Sequence, residues 1–231
     1  MASATTPRND RKLIAYAAPM GLFVACLALV SLLKLAPGNS FWLRSPEFWI
    51  YPAQTVACAA VLLWFRREYE LKRIAQFWFV LVVGIVICVL WISPQAFFAA
   101  APRTDGFNPD VFAANQPAYW STIILRFARL VVVVPFVEEV FWRGFLLRYF
   151  IDERFDRVPF GTFSWLSFVV VALGFALAHS RADWIAAAIT GAAYNFVAYR
   201  TKSLGSCVLV HAITNLLLGL WIMQTKQWGF W

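Results

Sequence analysis

The chain has 231 residues, 61% of them hydrophobic and only 14% charged. A water-soluble domain carries about a quarter charged residues, so composition excludes that class and leaves an all-α, polytopic membrane bundle without a sizeable extramembrane domain. The formal charge of +8 does not point to nucleic acid, because the basic residues lie in connections between apolar segments, where membrane topology puts them.

In chain order, the polar start gives way at Leu13 to an apolar run longer than a signal-peptide core. No clear small-residue cleavage site follows, so a retained first span is expected. Windows of about 20 apolar residues place seven spans, at 13–35, 48–65, 77–92, 119–150, 163–179, 183–199 and 204–223. The expectation is seven to eight spans around an intramembrane polar cavity. Residues 1–118 form an N-terminal set of helices with a polar loop, and 119–231 form the part that carries the chemistry. The fourth segment is too long for one span, and either runs past the membrane or breaks in two. Pro135 within it removes the hydrogen bond to the carbonyl of Val131 and predicts a kink. The stretch 93–118 is the longest polar connection, a surface loop or an amphipathic lid.

Arg8, Arg11 and Lys12 precede span one, and Arg66, Arg67, Lys72 and Arg73 follow span two. Arg148, Arg154 and Arg157 follow span four, and Arg200 and Lys202 follow span six. This alternation puts the N-terminus in the cytoplasm and, with seven spans, the C-terminus outside. An eighth span or a re-entrant piece reverses that end. Cys26, Cys58, Cys88 and Cys207 sit in apolar segments with no CxxC spacing, and read as small buried hydrophobes.

Two adjacent glutamates, Glu138 and Glu139, interrupt the fourth segment. An isolated carboxylate at the bilayer centre costs roughly 3 kcal/mol on insertion scales, so such residues mark a functional site by default. Glu139 and Arg143 are four apart on one helix face, in the favourable acid-before-base order. Glu138 is turned about 100° away and is freer to face a cavity. The only two histidines, His179 and His211, also lie in or at the end of apolar runs. His211 shares a face with Asn215, and Phe175 packs one turn before His179. Arg126 and Arg129 lie on one side of the fourth segment. They read as snorkelling outward, with contact to a substrate carboxylate as the alternative.

A carboxylate in a dry pocket can act as general base on water, and a histidine beside it can share that water or protonate a leaving amine. A second histidine and an amide can donate to a developing oxyanion. Glu138, His179, His211 and Asn215 thus contain the parts for peptide hydrolysis without a covalent intermediate. Two histidines and a glutamate are also a catalytic zinc set. No HExxH occurs, the ligands come from three segments, and Asn215 is a poor zinc ligand, so the metal-free reading is preferred over zinc held by Glu138, His179 and His211. A buried polar network that only joins helices is the bland alternative.

Three patterns occur in order: EExxxR from Glu138 to Arg143, FxxxH from Phe175 to His179, and HxxxN from His211 to Asn215. Together they resemble the CAAX protease and bacteriocin-processing (Abi) family of intramembrane proteases, over about residues 131–218. The segment YRTKSL looks like that family's YLRTGSL, with Lys202 where glycine is usual. The short EELFWR-like core resembles the bacterial CAAX-prenyl-protease-related branch. The resemblance implies that Glu138 activates water with His179 as its partner, that His211 and Asn215 form the oxyanion hole, and that Glu139 and Arg143 support the site. It implies an intramembrane endopeptidase of a bacterial inner membrane, acting near the C-terminus of a membrane-bound or lipidated protein. Members are often labelled metalloproteases, whereas the Ras-converting endopeptidase they resemble is treated as glutamate-dependent. The alternatives are a non-catalytic immunity or assembly factor of the same family, and a proton-coupled transporter, for which repeat symmetry is missing.

The span count sets Glu138 and His211 toward the cytoplasmic half and His179 at the opposite end of its span, roughly 15 Å away in depth. The expectation is that span five ends mid-membrane and that residues 180–183 form a buried turn lining a water-filled cavity.

Overall fold

The computed structural model describes residues 10–231; Arg8, one of the basic residues ahead of the first span, lies outside the described residues. Among the described residues eight helices are present: α1 Asp10–Leu35, α2 Phe41–Arg44, α3 Glu47–Trp64, α4 Phe77–Phe97, α5 Gln116–Tyr149, α6 Trp165–Leu177, α7 Trp184–Thr201 and α8 Leu204–Thr225. No strand occurs among the described residues. Seven of these helices coincide with the seven apolar segments. Four of them, α1, α4, α5 and α8, are long and apolar enough to cross a membrane. The chain is an all-α membrane bundle.

Local chemistry sets the helix ends. α1 has Asp10 in its first turn and Lys34 in its last, each complementing the helix dipole. α5 starts at Asn115, whose side chain accepts from the Ala118 amide, with Pro117 in the first turn. Ser203 caps α8 by accepting from the Ser206 amide. α7 closes on Lys202 at φ +50°, the left-handed conformation in which glycine has no steric penalty. This accounts for the glycine usual at that place in YLRTGSL.

α5 is the axis of the bundle. It touches α1, α3, α6 and α8, while α6 packs on α7 and α8 on α4. At 34 residues it is about 50 Å long, well beyond a hydrocarbon core of about 30 Å. It neither stops nor breaks in two. It holds two π-helical stretches, Ala128–Val133 and Val140–Leu146, around the α-helical Val134–Glu139. The Val134 amide donates to the Arg129 carbonyl, five residues back. In that register the carbonyl facing Pro135, which has no N–H, is Leu130 rather than Val131. Leu130 O instead accepts from Asn215 Nδ2 at 2.9 Å. The kink expected at Pro135 is thus a wide turn whose freed carbonyl is taken up by α8.

The stretch 98–115 is an irregular loop with one 3₁₀ turn, Pro109–Phe112, and not an amphipathic helix. It is tied to the chain's last residues and to the α6–α7 turn. Arg103 pairs bidentately with Asp183 at 2.8 and 3.1 Å, its carbonyl accepts from the Gly229 amide at 2.8 Å, and its guanidinium lies 4.4 Å from the Phe230 ring centroid. The turn at 180–183 is not buried as expected: Ser180, Arg181 and Ala182 are exposed and only Asp183, held by Arg103, is partly covered. The four cysteines are free.

Candidate active site

Glu138, His179, His211 and Asn215 all line one cavity of about 150 Å³. The difference in depth inferred from the span count is not found: α6 is only 13 residues long, and His179, two residues beyond it, lines the same cavity as Glu138. Trp91, Thr190, Tyr194 and Thr214 add polar groups to the wall, and Phe230 also lines it.

The two glutamates face different surroundings. Glu139 is 0% exposed. Its Oε1 accepts from Arg143 Nη1 at 3.0 Å and from His211 Nδ1 at 2.8 Å. Arg143, equally enclosed, also donates from Nε to Asn195 Oδ1 at 3.2 Å and from Nη2 to the Gly191 carbonyl at 3.1 Å. A buried ion pair needs such additional bonds to offset the loss of water. Glu138 is only partly buried, and its Oε2 has no hydrogen-bond partner. Glu139 thus engages an arginine and a histidine through one oxygen while its Oε2 is buried without a partner, and its neighbour Glu138 lines the cavity.

Both imidazoles are held by Nδ1. His179 Nδ1 lies 2.7 Å from the Phe175 carbonyl, which can only accept, so Nδ1 carries the proton. The Phe175 ring is 4.7 Å from the imidazole and Trp91 is 5.6 Å from it on another side. His211 Nδ1 donates to a carboxylate that already accepts from an arginine. In each ring Nε2 is the nitrogen left for the cavity. Tyr194 lies 5.3 Å from the His211 ring, and its hydroxyl donates to Thr214 at 2.8 Å. Thr190 accepts from Trp91 Nε1 at 2.9 Å. Asn215 spends one amide hydrogen on Leu130 O and keeps the other.

Histidines whose Nδ1 is fixed by oxygen are the disposition found around catalytic zinc. Among the described residues, however, no three His, Cys, Asp or Glu side chains come together as a group that could hold a metal ion. The donor types fit a zinc site and their placement does not, so no step below runs through a metal.

Sequence reasoning paired Glu139 with Arg143 but missed the bond from Glu139 to His211 and the part of α7. Thr190, Tyr194 and Asn195 stand in an apolar helix at spacings of four and one. That inward polar stripe was the available signal. Arg126 and Arg129 do not snorkel: they are 4% and 7% exposed, and line a separate cavity between α3 and α5.

Residues 120–217 match the family model described as type II CAAX prenyl endopeptidase Rce1-like. The UPF0177 protein YaiH of Lactococcus lactis subsp. lactis (strain IL1403) is 22% identical over 160 residues, 67% of this chain and 61% of that relative. The chain therefore spans about three fifths of the relative's length. No solved structure matches. The resemblance read from the three motifs is borne out, and all of their residues, Glu138 to Asn215, fall inside the matched stretch.

Proposed function

We propose, from the match of residues 120–217 to a CAAX prenyl endopeptidase family and from the four residues on one cavity wall, that this protein is an intramembrane endopeptidase. It hydrolyses a peptide bond near the C-terminus of a membrane-associated or lipidated protein. The observation that carries the reading is the unequal placement of the glutamates: Glu139 is fully enclosed and tied to Arg143 and His211, whereas Glu138 is only partly buried and lines the cavity beside two imidazoles whose Nε2 atoms are uncommitted.

Water held between Glu138 and His179 Nε2 loses a proton to Glu138 as its oxygen attacks the scissile carbonyl. The charge developing on that carbonyl oxygen is met by the free amide hydrogen of Asn215 and, in its doubly protonated form, by His211 Nε2. His211 keeps Nδ1–H on Glu139 throughout. The proton then passes from Glu138 through His179 to the leaving amine. Glu139 and Arg143 are positioning residues, since neither reaches the cavity. In this proposal no metal takes part, the N-terminus is cytoplasmic, and the location is a bacterial inner membrane.

The test is cleavage of a panel of C-terminal membrane peptides, prenylated and plain, by the full chain in detergent or lipid discs. Glu138→Ala is expected to abolish cleavage while the protein still inserts and folds. Full activity in Glu138→Gln, a near-isosteric change, refutes the reading and favours a non-catalytic family member. Loss of activity with a strong chelator, restored by zinc, refutes the metal-free step.

A further inference from the structure

A second cavity, of about 240 Å³, lies between α3 and α5. α5 separates it from the catalytic one: Arg129 lines the first and its neighbour Leu130 the second. Its wall is aromatic, with Trp42, Tyr51 and Phe107, and it carries Arg126 and Arg129. Among the described residues neither arginine forms an ion pair. Arg129 is oriented by donating from Nε to Gln54 Oε1 at 2.8 Å, and Gln54 is fixed in turn by donating to the Phe23 carbonyl at 2.7 Å. Arg126 has ring faces for neighbours, with its guanidinium carbon 4.8 Å from the Phe107 centroid and 5.1 Å from that of Tyr51.

Rings cover the faces of a guanidinium and leave its edge, where the N–H donors point. Arg126 Nε and Nη1 are buried there without a hydrogen-bond partner. The two arginines are also three apart on one helix, where like charges repel. Two buried cations with no carboxylate in contact, the nearest being Glu47 toward Arg126 and Glu138 toward Arg129, face one hollow with spare donors, the make-up of an anion site.

We propose that this cavity binds the anionic group of a membrane amphiphile, a carboxylate or phosphate carried on an apolar body. The mouth indicates where the ligand comes from. Trp42 and Leu125, both on the wall, are 53% and 39% exposed, so the rim is apolar and open. α5 descends past Tyr119 and Trp120, residues of the interfacial type, and reaches Arg126 about 10 Å further on. The aromatic belt is the headgroup level, so an anionic group that reaches Arg126 is drawn in from the interface, with its apolar body alongside the open rim. A substrate peptide cut at Glu138 lies on the other side of α5. This inference does not depend on the protease reading.

The experiment follows intrinsic tryptophan fluorescence of the full chain in zwitterionic detergent, with Trp42 on the cavity wall and Trp231 stacked on Arg126 as reporters. The probes are short-chain phosphatidylglycerol, the matching phosphatidylcholine, dodecanoate, inorganic phosphate, and a C-terminal membrane peptide as the free acid. Phosphatidylglycerol or dodecanoate is expected to bind at least tenfold tighter than phosphatidylcholine, and the tighter of the two identifies phosphate or carboxylate as the natural group. Arg126→Met should reduce that preference to within twofold. Ser121→Trp, which fills the cavity from an exposed position and keeps both arginines, should do the same if Arg126→Met fails to fold. Equal affinity for the two phospholipids, or an unchanged preference in the folded variants, overturns the proposal. So does inorganic phosphate binding as tightly as the amphiphiles, and so does preferential binding of the peptide acid, which would give the site to a substrate carboxylate.

Discussion

Replacing Arg143 by methionine separates what holds the bundle from what the site does. The side chain keeps much of the volume and loses the charge and three hydrogen bonds, to Glu139, Asn195 and Gly191. Glu139 is left fully buried with a single partner, His211. Removing one member of a buried ion pair costs about 3–5 kcal/mol, because the other charge stays uncompensated. Removing both and filling the space with apolar groups is often close to neutral. Arg143→Met should therefore lose about 3–5 kcal/mol in reversible unfolding followed in mixed micelles, and Arg143→Met with Glu139→Leu should recover most of that loss. The double variant nevertheless leaves His211 Nδ1 without its acceptor, so its cleavage rate should stay down by up to about 10²–10³-fold, the effect of losing one oxyanion donor, if His211 serves as proposed. A single variant that costs no more than an exposed pair, about 0–1 kcal/mol, refutes the argument. So does a double variant that recovers stability and activity together.

Three further outcomes follow from particular contacts. Asn215→Ala leaves the Leu130 carbonyl with no donor, since Pro135 cannot supply one; it should cost about 1–3 kcal/mol in the same unfolding assay and lower kcat by about 10²–10³ if the amide meets the oxyanion. Glu70, in the connection after α3, accepts from Lys12 Nζ at 2.6 Å and Arg148 Nη1 at 3.2 Å; partial burial pushes its carboxyl up, and the two cations outweigh this and hold it below its ordinary value. A lowered carboxyl stabilises the fold above its unfolded value, about pH 4.3, and that contribution is lost as pH falls through the folded value; Glu70→Gln should flatten this acid limb of a stability–pH curve. A Cβ on Gly191 would stand 3.0 Å from both the Cα and carbonyl oxygen of Ala172, backbone that no rotamer change relieves, so Gly191→Ala should lose about 1–3 kcal/mol by forcing α6 from α7.

How much of this was legible follows from distance along the chain. Glu139 with Arg143, Phe175 with His179 and His211 with Asn215 are each one helical turn apart, and one turn is what periodicity reports. The apolar runs likewise located seven helices to within a few residues. The bond from Glu139 to His211 joins residues 72 apart, and nothing local encodes it. Arg126 and Arg129 were misjudged because arginine near a span end commonly reaches water. Here Tyr51, Gln54 and Phe107, all distant in sequence, enclose them. The π-helical stretches escaped because residue propensities do not distinguish closure on the fourth residue from closure on the fifth.

Those two stretches bear on where the length of this chain can change. A π-turn is an α-helix that has taken in one residue, with the helices on either side still in phase. Losing one residue within Ala128–Val133 therefore returns the turn to ordinary α-helix and leaves Arg126 and Glu138 on their present bearings. The same loss within Val134–Glu139 rotates everything beyond it by about 100° and brings Glu139 to the position of Glu138, with Val140 where the carboxylate paired with Arg143 stood. Single-residue gaps among related chains should therefore collect in the wide turns flanking the glutamates and be missing from the six residues between them.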